Sequence, residues 1–355
     1  MISEREFASR TPRQLQLIAA ELGEGAQRTG CKAGPRALLP LLAAALREAG
    51  HGLAPMRLIA SRPAPADDKL TTVADFVPRL AAVVAQAAGA PCAASRPPAS
   101  AASSASSASS CAAAPAAEAG AFPLVIGGDH SCAVGTWSGM AHAVASAHGA
   151  RLPLGLVWID AHLDSHTPAT SESGAPHGMP LAALLGEGDP RLAALGGWRG
   201  KVSATHAVVV GARSFEAGEA ALLARLGVRV IDAVEVAARG VSACLAEARG
   251  IARAAPGGYG ISLDLDAFDP LDAPGVGSPA PGGLPVRATI DALAGLYRDV
   301  RLRGFELVEY NPALDVDDRT ARLASALIAS VFGRMSRSTR GPGAAGARAA
   351  VGLGA

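Results

Sequence analysis

The sequence predicts an α/β fold in which helices cover both faces of a central, mostly parallel β-sheet, giving a three-layer αβα sandwich. Apolar runs of strand length recur along the chain, and they lack the alternation of polar and apolar residues that a half-exposed strand shows. Each run is followed by a stretch of helical periodicity, which is typical of parallel strands joined by crossover helices. With 355 residues, 50% of them hydrophobic, the chain can form one large domain around a sizeable core.

The predicted elements alternate along most of the chain. Strands are predicted where short apolar runs are bounded by glycine, proline or polar residues, at 56–61, 123–128, 154–160, 206–212, 228–232, 259–266 and 303–310. Helices are predicted where apolar residues recur with a period near 3.6, near 36–49, 73–88, 132–148, 179–186, 216–226, 240–254, 286–300 and 317–333.

Two segments depart from this pattern. Residues 90–118 consist largely of alanine and serine, so they cannot bury enough apolar surface to offset the entropy of ordering them. The αβ pattern precedes this segment and resumes after it, which predicts a disordered surface insertion within a single catalytic domain spanning 1–335. Residues 336–355, rich in Ser, Arg, Gly and Ala, are predicted to form a flexible C-terminal tail.

Charge and cysteine content narrow the functional class. The formal net charge is +1, so no global field favours nucleic acid or a membrane surface as a partner. The five cysteines are scattered and form no CxxC pair, which fits a reducing compartment and gives no disulfide or zinc signal. The acidic first residues do not look like a secretory signal, and no apolar run reaches transmembrane length. We therefore expect a cytoplasmic protein that binds neither nucleic acid nor membrane.

Three polar blocks follow predicted strands and carry the chemistry. They are 127–131 (Gly-Gly-Asp-His-Ser), 160–164 (Asp-Ala-His-Leu-Asp) and 264–266 (Asp-Leu-Asp). Residues two apart on a strand point to the same side, and sites in parallel sheets lie beyond the carboxyl ends of the strands. Any one block alone has a simpler interpretation, since an Asp at a strand end often caps a helix and a lone His is usually hydrogen-bonded. Together the three blocks predict one cluster of four carboxylates and two imidazoles.

Carboxylates this close repel one another and need compensating cations to stay ionised at neutral pH. Mostly oxygen ligands, some imidazole and no thiolate suit Mn(II), or another hard-to-borderline divalent ion, better than a structural zinc. Two such ions about 3.5–4 Å apart lower the pKa of a shared water and make hydroxide available near neutral pH. The blocks therefore predict a binuclear metal hydrolase.

The chain resembles the ureohydrolase family, which includes arginases and agmatinases, and within it the arginases most. The resemblance runs from about residue 22 to 333, apart from the insertion. It rests on the three blocks and on four further segments, 25–31 with 34–38, 262–270, 282–284 and 309–312. It implies an arginase-like fold, two Mn²⁺ per chain, and a homo-oligomer, either a trimer or a hexamer.

The resemblance also implies roles for individual residues. Asp160 and Asp264 would bridge the two ions, and Asp164 would also accept a hydrogen bond from the attacking hydroxide. The implied ligands of the first ion, beside the bridging pair, are His130 and Asp164, and those of the second are His162 and Asp266.

Two further residues complete the implied catalytic set. Glu309 follows an apolar strand, and its carboxylate can pair bidentately with a planar guanidinium. The alternative is a Glu paired with a structural Arg. His177 lies in a loop that resembles the family's histidine loop and would pass a proton to the leaving amine. Without the resemblance, a loop His is more often exposed and idle.

The far end of the substrate decides which ureohydrolase this is. The loop after the second block has the arginase length, and it implies contacts of His166 and Ser173 with an α-carboxylate. His166 departs from the Asn that arginases often have at this position, and Ala175 departs from the Asn that some arginases have there. Glu216 and Glu219 resemble the acidic residues that contact an α-amino group, although both also suit the positive end of a helix.

These residues predict hydrolysis of L-arginine to L-ornithine and urea. The alternative substrates are agmatine and a guanidino acid such as guanidinobutyrate, so a small guanidino compound is expected in each case. Two other classes stay open at this point. One is an inactive family member that serves as a scaffold, although none of the six implied ligands is lost. The other is a deacetylase of related fold, although such enzymes generally use one zinc.

Overall fold

The computed structural model describes residues 14–62, 64, 68–90 and 120–333. The segment predicted to be an insertion, apart from Ala90, and the predicted tail lie outside the described residues. The described strands are β1 (Leu15–Glu21), β2 (Arg57–Ala60), β3 (Phe122–Gly127), β4 (Leu154–Ile159), β5 (Val202–Ala212), β6 (Arg229–Asp232), β7 (Tyr259–Asp264) and β8 (Leu302–Val308). The described helices are α1 (Gly34–Glu48), α2 (Lys69–Ala87), α3 (Cys132–His148), α4 (Pro180–Leu185), α5 (Pro190–Ala193), α6 (Ala217–Leu226), α7 (Ala233–Arg239), α8 (Val241–Arg253), α9 (Val286–Leu293) and α10 (Arg319–Phe332).

Within these residues the strands form one eight-stranded sheet in the order β2-β1-β3-β8-β7-β4-β5-β6. Every neighbouring pair of strands is parallel. Helices α1, α8, α9 and α10 bury apolar residues on one face of the sheet, and α2, α3, α4 and α6 do so on the other. The predicted three-layer αβα architecture is confirmed, and its sheet is entirely parallel.

Most predicted elements are present with small shifts at their ends, but the first strand was missed. β1 has the sequence Leu-Gln-Leu-Ile-Ala-Ala-Glu, in which Ala, Gln and Glu hide the strand signal, yet all seven residues are buried between β2 and β3. The short helices α5 and α7 were also missed. The helix predicted near 286–300 is too long, because Gly295 has a left-handed backbone and a separate 3₁₀ turn follows.

Helix α2 is long and apolar enough, by length and composition, to cross a membrane. In the fold it packs against α3 and contributes Val73, Phe76 and Leu80 to the core. Its apolar character is therefore used in packing against its neighbours.

A close approach between β7 and α3 links the core to the site described below. Gly260 of β7 lies against the indole ring of Trp137, and a Cβ at this position would overlap the ring. Trp137 is fully buried, and its indole N–H donates to the Glu306 carboxylate at 3.1 Å. Glycine at 260 thus lets Trp137 reach a buried charge.

We expect Gly260→Ala to destabilise the protein by about 1–3 kcal/mol, because overpacking a filled core forces side chains out of their preferred rotamers. Gly250→Ala is the matched control, since Gly250 lies in α8 with no neighbouring atom where its Cβ would stand. This control should gain about 0.5–1 kcal/mol from helix propensity. Urea unfolding measures both, and equal stability of the two variants would contradict the packing described here.

Candidate active site

The site lies at the carboxyl ends of four neighbouring strands, β3, β8, β7 and β4. Asp160 directly follows β4, Asp264 is the last residue of β7, and Glu309 directly follows β8. His130 lies in the turn between β3 and α3. All four are buried, with at most 2% of each residue exposed. The structure thus brings the three polar blocks to one edge of the sheet.

His130 faces three carboxylates. Its Nδ1 lies 3.1 Å from Asp160 Oδ2, 2.9 Å from Asp164 Oδ2 and 3.1 Å from Asp264 Oδ2. This nitrogen is fully buried, and no group in the described part of the chain forms a hydrogen bond of acceptable geometry with it. A buried nitrogen that lies among carboxylate oxygens without a hydrogen bond fits a metal ligand, so the residues present fit a cation at this point.

His162 forms a second group with two carboxylates. Its Nδ1 lies 3.4 Å from Asp160 Oδ1 and 3.2 Å from Asp266 Oδ2. Asp160 therefore turns one oxygen toward each imidazole, an arrangement that lets a single carboxylate serve two ions. Both groups have the composition of a metal site, with one imidazole and two or more carboxylates.

The pKa shifts of the clustered carboxylates also favour bound cations. Burial, together with neighbouring carboxylates, raises the pKa of Asp264 well above its usual value. Burial likewise raises the pKa of Asp266 to about 6, against the opposing effect of His162. Such carboxylates ionise fully at neutral pH only when positive charge compensates them. Cations bound at the two groups would supply that charge.

A buried chain of hydrogen bonds behind His130 was not predicted from the sequence. Ser262 Oγ donates to Glu306 Oε2 at 2.7 Å, and His130 Nε2 lies 3.0 Å from the same hydroxyl. Because the Ser262 proton points at Glu306, the hydroxyl accepts from His130 Nε2–H. This fixes the tautomer of His130 and leaves a lone pair on Nδ1, facing the carboxylate cluster.

Glu306 is held by further donors. It also accepts from Thr136 Oγ1 at 2.5 Å and from Trp137 Nε1 at 3.1 Å. Trp158 adds a second support, because its ring stacks on His130 at 4.0 Å and its Nε1 donates to Asp160 Oδ2 at 2.9 Å. The sequence signal for this layer was a carboxylate, Glu306, within the buried part of β8.

Asp129, the remaining acid of the first block, has a structural role. It is fully buried and accepts from Gly25 N at 2.8 Å and from Ser131 N at 2.9 Å. These bonds tie the loop at 25–31 to the turn that carries His130.

Glu309 and His177 form a pair beside the cluster. Glu309 Oε1 accepts from His130 N at 2.9 Å and lies 3.1 Å from His177 Nδ1, whereas its Oε2 has no hydrogen-bond partner among the residues that the structure describes. Burial, which lowers the pKa of His177, is outweighed by Glu309, and the pKa rises to about 9. Glu309 therefore pairs with a histidine and not with a structural Arg, and one of its oxygens remains available.

The backbone at this edge is strained in two places. Asp164 and Glu309 have positive φ angles of 46° and 67°, a region that residues other than glycine rarely adopt. Such outliers persist where surrounding contacts over-determine them and are common at active sites.

The remaining predicted residues gather at the other end of a cavity of about 370 Å³, which also reaches His162, Asp164 and Asp266. His166 Nε2 lies 2.8 Å from Glu216 Oε2 and 3.4 Å from Glu219 Oε2. Glu216 and Glu219 also form a capping box at the start of α6, so their helix-capping role is real. Ser173 lines the same cavity, and its Oγ accepts from Ala175 N at 3.2 Å.

Comparison with known proteins gives a consistent result. The family model described as "Arginase family" matches residues 13–333. The chain is 46% identical over 215 residues to an arginase of Brevibacillus brevis, covering 61% of this chain and 70% of that one. It is 41% identical over 214 residues to an arginase of Bacillus caldovelox, covering 60% and 69%.

Solved structures agree. The crystal structure of arginase from Bacillus subtilis superposes with a TM-score of 0.75 at 31% identity, covering 92% of this chain and all of that one. A formiminoglutamase from Trypanosoma cruzi superposes with a TM-score of 0.64 over 92% of this chain and 95% of that one. Its identity of 19% shows a shared fold alone.

We expect Ser262→Ala to weaken metal binding by about 10- to 100-fold, because the variant frees His130 to adopt the other tautomer. The matched control is Ser138→Ala, which removes a buried hydroxyl that has no hydrogen-bond partner and lies away from the cluster. Calorimetric titration with Mn(II) measures the affinity, and thermal unfolding checks the fold. If both variants bind Mn(II) as the parent does, the hydroxyl does not orient His130.

Proposed function

Because the chain belongs to the arginase family, we propose that this hydrolase cleaves the guanidinium group of L-arginine, with two Mn²⁺ ions, to give L-ornithine and urea. The observation that carries the proposal is the unpaired Glu309 oxygen in a site with two groups of metal-ligand side chains. Hydrolases of this family are metal-dependent. The identity of the ions and of the amino acid is what we propose here.

The chain's own residues divide into ligands and substrate contacts. His130, Asp160, Asp164 and Asp264 would hold one ion, and Asp160, His162, Asp264 and Asp266 the other. When bound, two divalent ions lower the pKa of a shared water and so supply hydroxide near neutral pH. Mn²⁺ is favoured because the donor set is mostly carboxylate with two imidazoles and no thiolate.

Glu309 supports the guanidinium assignment. Its Oε1 is fixed by His130 N and His177 Nδ1, so the carboxylate cannot rotate freely, and its Oε2 is left for a cationic partner. A fixed carboxylate can hold a planar guanidinium in one orientation, and such positioning supplies several kcal/mol of barrier reduction. Glu309 raises the pKa of His177, which favours the protonated imidazole that would pass a proton to the departing amine.

The far end of the cavity supports an amino-acid substrate. Glu216 and Glu219 offer negative charge to an α-ammonium group, and His166 and Ser173 offer donors to an α-carboxylate. One observation favours a second candidate, a guanidino acid such as guanidinobutyrate. Since His166 Nε2 already lies 2.8 Å from Glu216 Oε2, one of the oxygens that an ammonium group would use is engaged within the protein.

Substrate-resolved kinetics test the choice of substrate. With the Mn-loaded protein, kcat/KM for urea release should be highest for L-arginine, because only arginine offers both an ammonium and a carboxylate to the far end. Agmatine and guanidinobutyrate are the comparisons. A higher kcat/KM for either one would replace the substrate while leaving the hydrolytic chemistry in place.

Two variants separate metal binding from substrate positioning. Asp264→Ala should lose Mn(II) binding and activity together, because it removes a carboxylate that would bridge the two proposed ions. Glu309→Gln should keep its metal and lose about 10²-fold or more in kcat/KM, because only the guanidinium contact is weakened. Glu48→Gln, at an exposed position in α1, is the control with parental activity. Normal turnover by Asp264→Ala would refute the assignment of the metal centre.

A further inference from the structure

A third group of potential metal ligands lies at the far end of the cavity, apart from the two groups at the strand ends. It consists of His166, Glu216 and Glu219, and the ligand atoms that these residues offer lie within 4.8 Å of one another. In the proposed reaction these side chains only contact the substrate. The arrangement of their ligand atoms also suits a metal ion.

The spacing of the third group matches that of the other two. His166 Nε2 lies 2.8 Å from Glu216 Oε2 and 3.4 Å from Glu219 Oε2. In the groups of His130 and His162, the corresponding nitrogen–oxygen distances run from 2.9 to 3.4 Å. A tetrahedral ion with ligand bonds of about 2.0–2.1 Å separates its ligands by about 3.3 Å, so the third group has the spacing of a coordination sphere.

The third group is also held in place. Glu219 is 3% exposed, and its two oxygens accept from Ser165 N and Glu216 N, each at 3.1 Å. His166 Nδ1 lies 3.2 Å from Thr170 Oγ1, which orients the ring so that Nε2 faces the carboxylates. Fixing the other ring nitrogen by a hydrogen bond is what proteins do with metal-binding histidines.

The charge of this group calls for a cation. Two carboxylates share one imidazole, and one of them, Glu219, is only 3% exposed, so water does little to stabilise its charge. Glu216 is largely exposed, so solvent can reach the remaining coordination positions of a bound ion.

We propose that a third divalent cation, of the Zn²⁺ class, binds to His166 Nε2 and the carboxylates of Glu216 and Glu219. One imidazole with two carboxylates and open positions suits Zn²⁺ or Co²⁺. The ion takes the place of the proton between His166 and Glu216. It also occupies the far end of the cavity, so it competes with the ammonium end of an amino-acid substrate. This second consequence rests on the proposed function.

Metal content tests the site without reference to activity. The Mn-loaded protein is exposed to graded Zn²⁺ and desalted, and Mn and Zn are then counted separately by elemental analysis. We expect the parent to gain one Zn per chain with its Mn retained, and His166→Asn and Glu216→Gln to bind Zn at least tenfold more weakly. His148→Asn, which removes an exposed imidazole at the end of α3, should bind Zn as the parent does.

The proposal is overturned if His166→Asn and Glu216→Gln both take up Zn like the parent, or if Zn enters only as Mn leaves. Glu216→Gln changes an exposed side chain and keeps a capping amide, so it remains informative if His166→Asn fails to fold. Circular dichroism confirms the fold of each variant.

Kinetics test the competition. At constant Mn content, Zn²⁺ should raise the KM of the parent for L-arginine at least fivefold with kcat unchanged, and it should not change the KM of Glu216→Gln relative to that variant's own zinc-free value. A fall in kcat without a change in KM would overturn the competition. If the Mn-loaded protein releases no urea from any guanidino compound, the proposed function fails, whereas the Zn count still decides the third site.

Discussion

The arrangement of buried charge around His130 is the constraint on which the rest of the structure depends. Its Nδ1 lies within 3.1 Å of three carboxylate oxygens and makes no hydrogen bond, and the lone pair on this nitrogen faces negative charge. Only cations make such a cluster stable at neutral pH. The parallel sheet makes the cluster possible, since β3, β8, β7 and β4 are neighbours and their carboxyl ends meet at one edge.

The hydrogen bonds behind the carboxylate cluster make the orientation of His130 depend on how the core packs. Glu306 is fully buried, and a buried carboxylate is costly unless it accepts several hydrogen bonds. Its three donors are Thr136, Trp137 and Ser262, and Trp137 reaches it only because Gly260 leaves room for the indole ring. A change of one methyl group in the core thus acts on the carboxylate that fixes the tautomer of His130.

The sequence predicted those residues and elements whose pattern lies within a short stretch of the chain. Asp160 and Asp264 could be read as ligands because each stands at the end of an apolar run, and the alternation of strands and helices predicted the sheet. Ser262 and Glu306 were missed because their roles depend on partners 132 and 44 residues away along the chain, and a serine within a strand has no local signature. Strand β1 was missed because burial on both faces overrode the weak strand propensity of its residues.

Both ends of the cavity contain carboxylates and imidazoles, but the carboxylates are more deeply buried at the inner end than at the outer end. At the inner end the carboxylates of Asp160, Asp264 and Asp266 are buried, so their charge requires strong compensation, which the two proposed ions would supply. At the outer end Glu216 is exposed and Glu219 is buried. Solvent therefore reaches this group of side chains, and one bound cation can be replaced by another. A proton, a substrate ammonium group and a divalent ion are all small cations, and the same carboxylates attract each of them. In the proposed reaction, recognition of an ammonium group by Glu216 and Glu219 beside His166 would therefore bring with it an affinity for divalent metal ions.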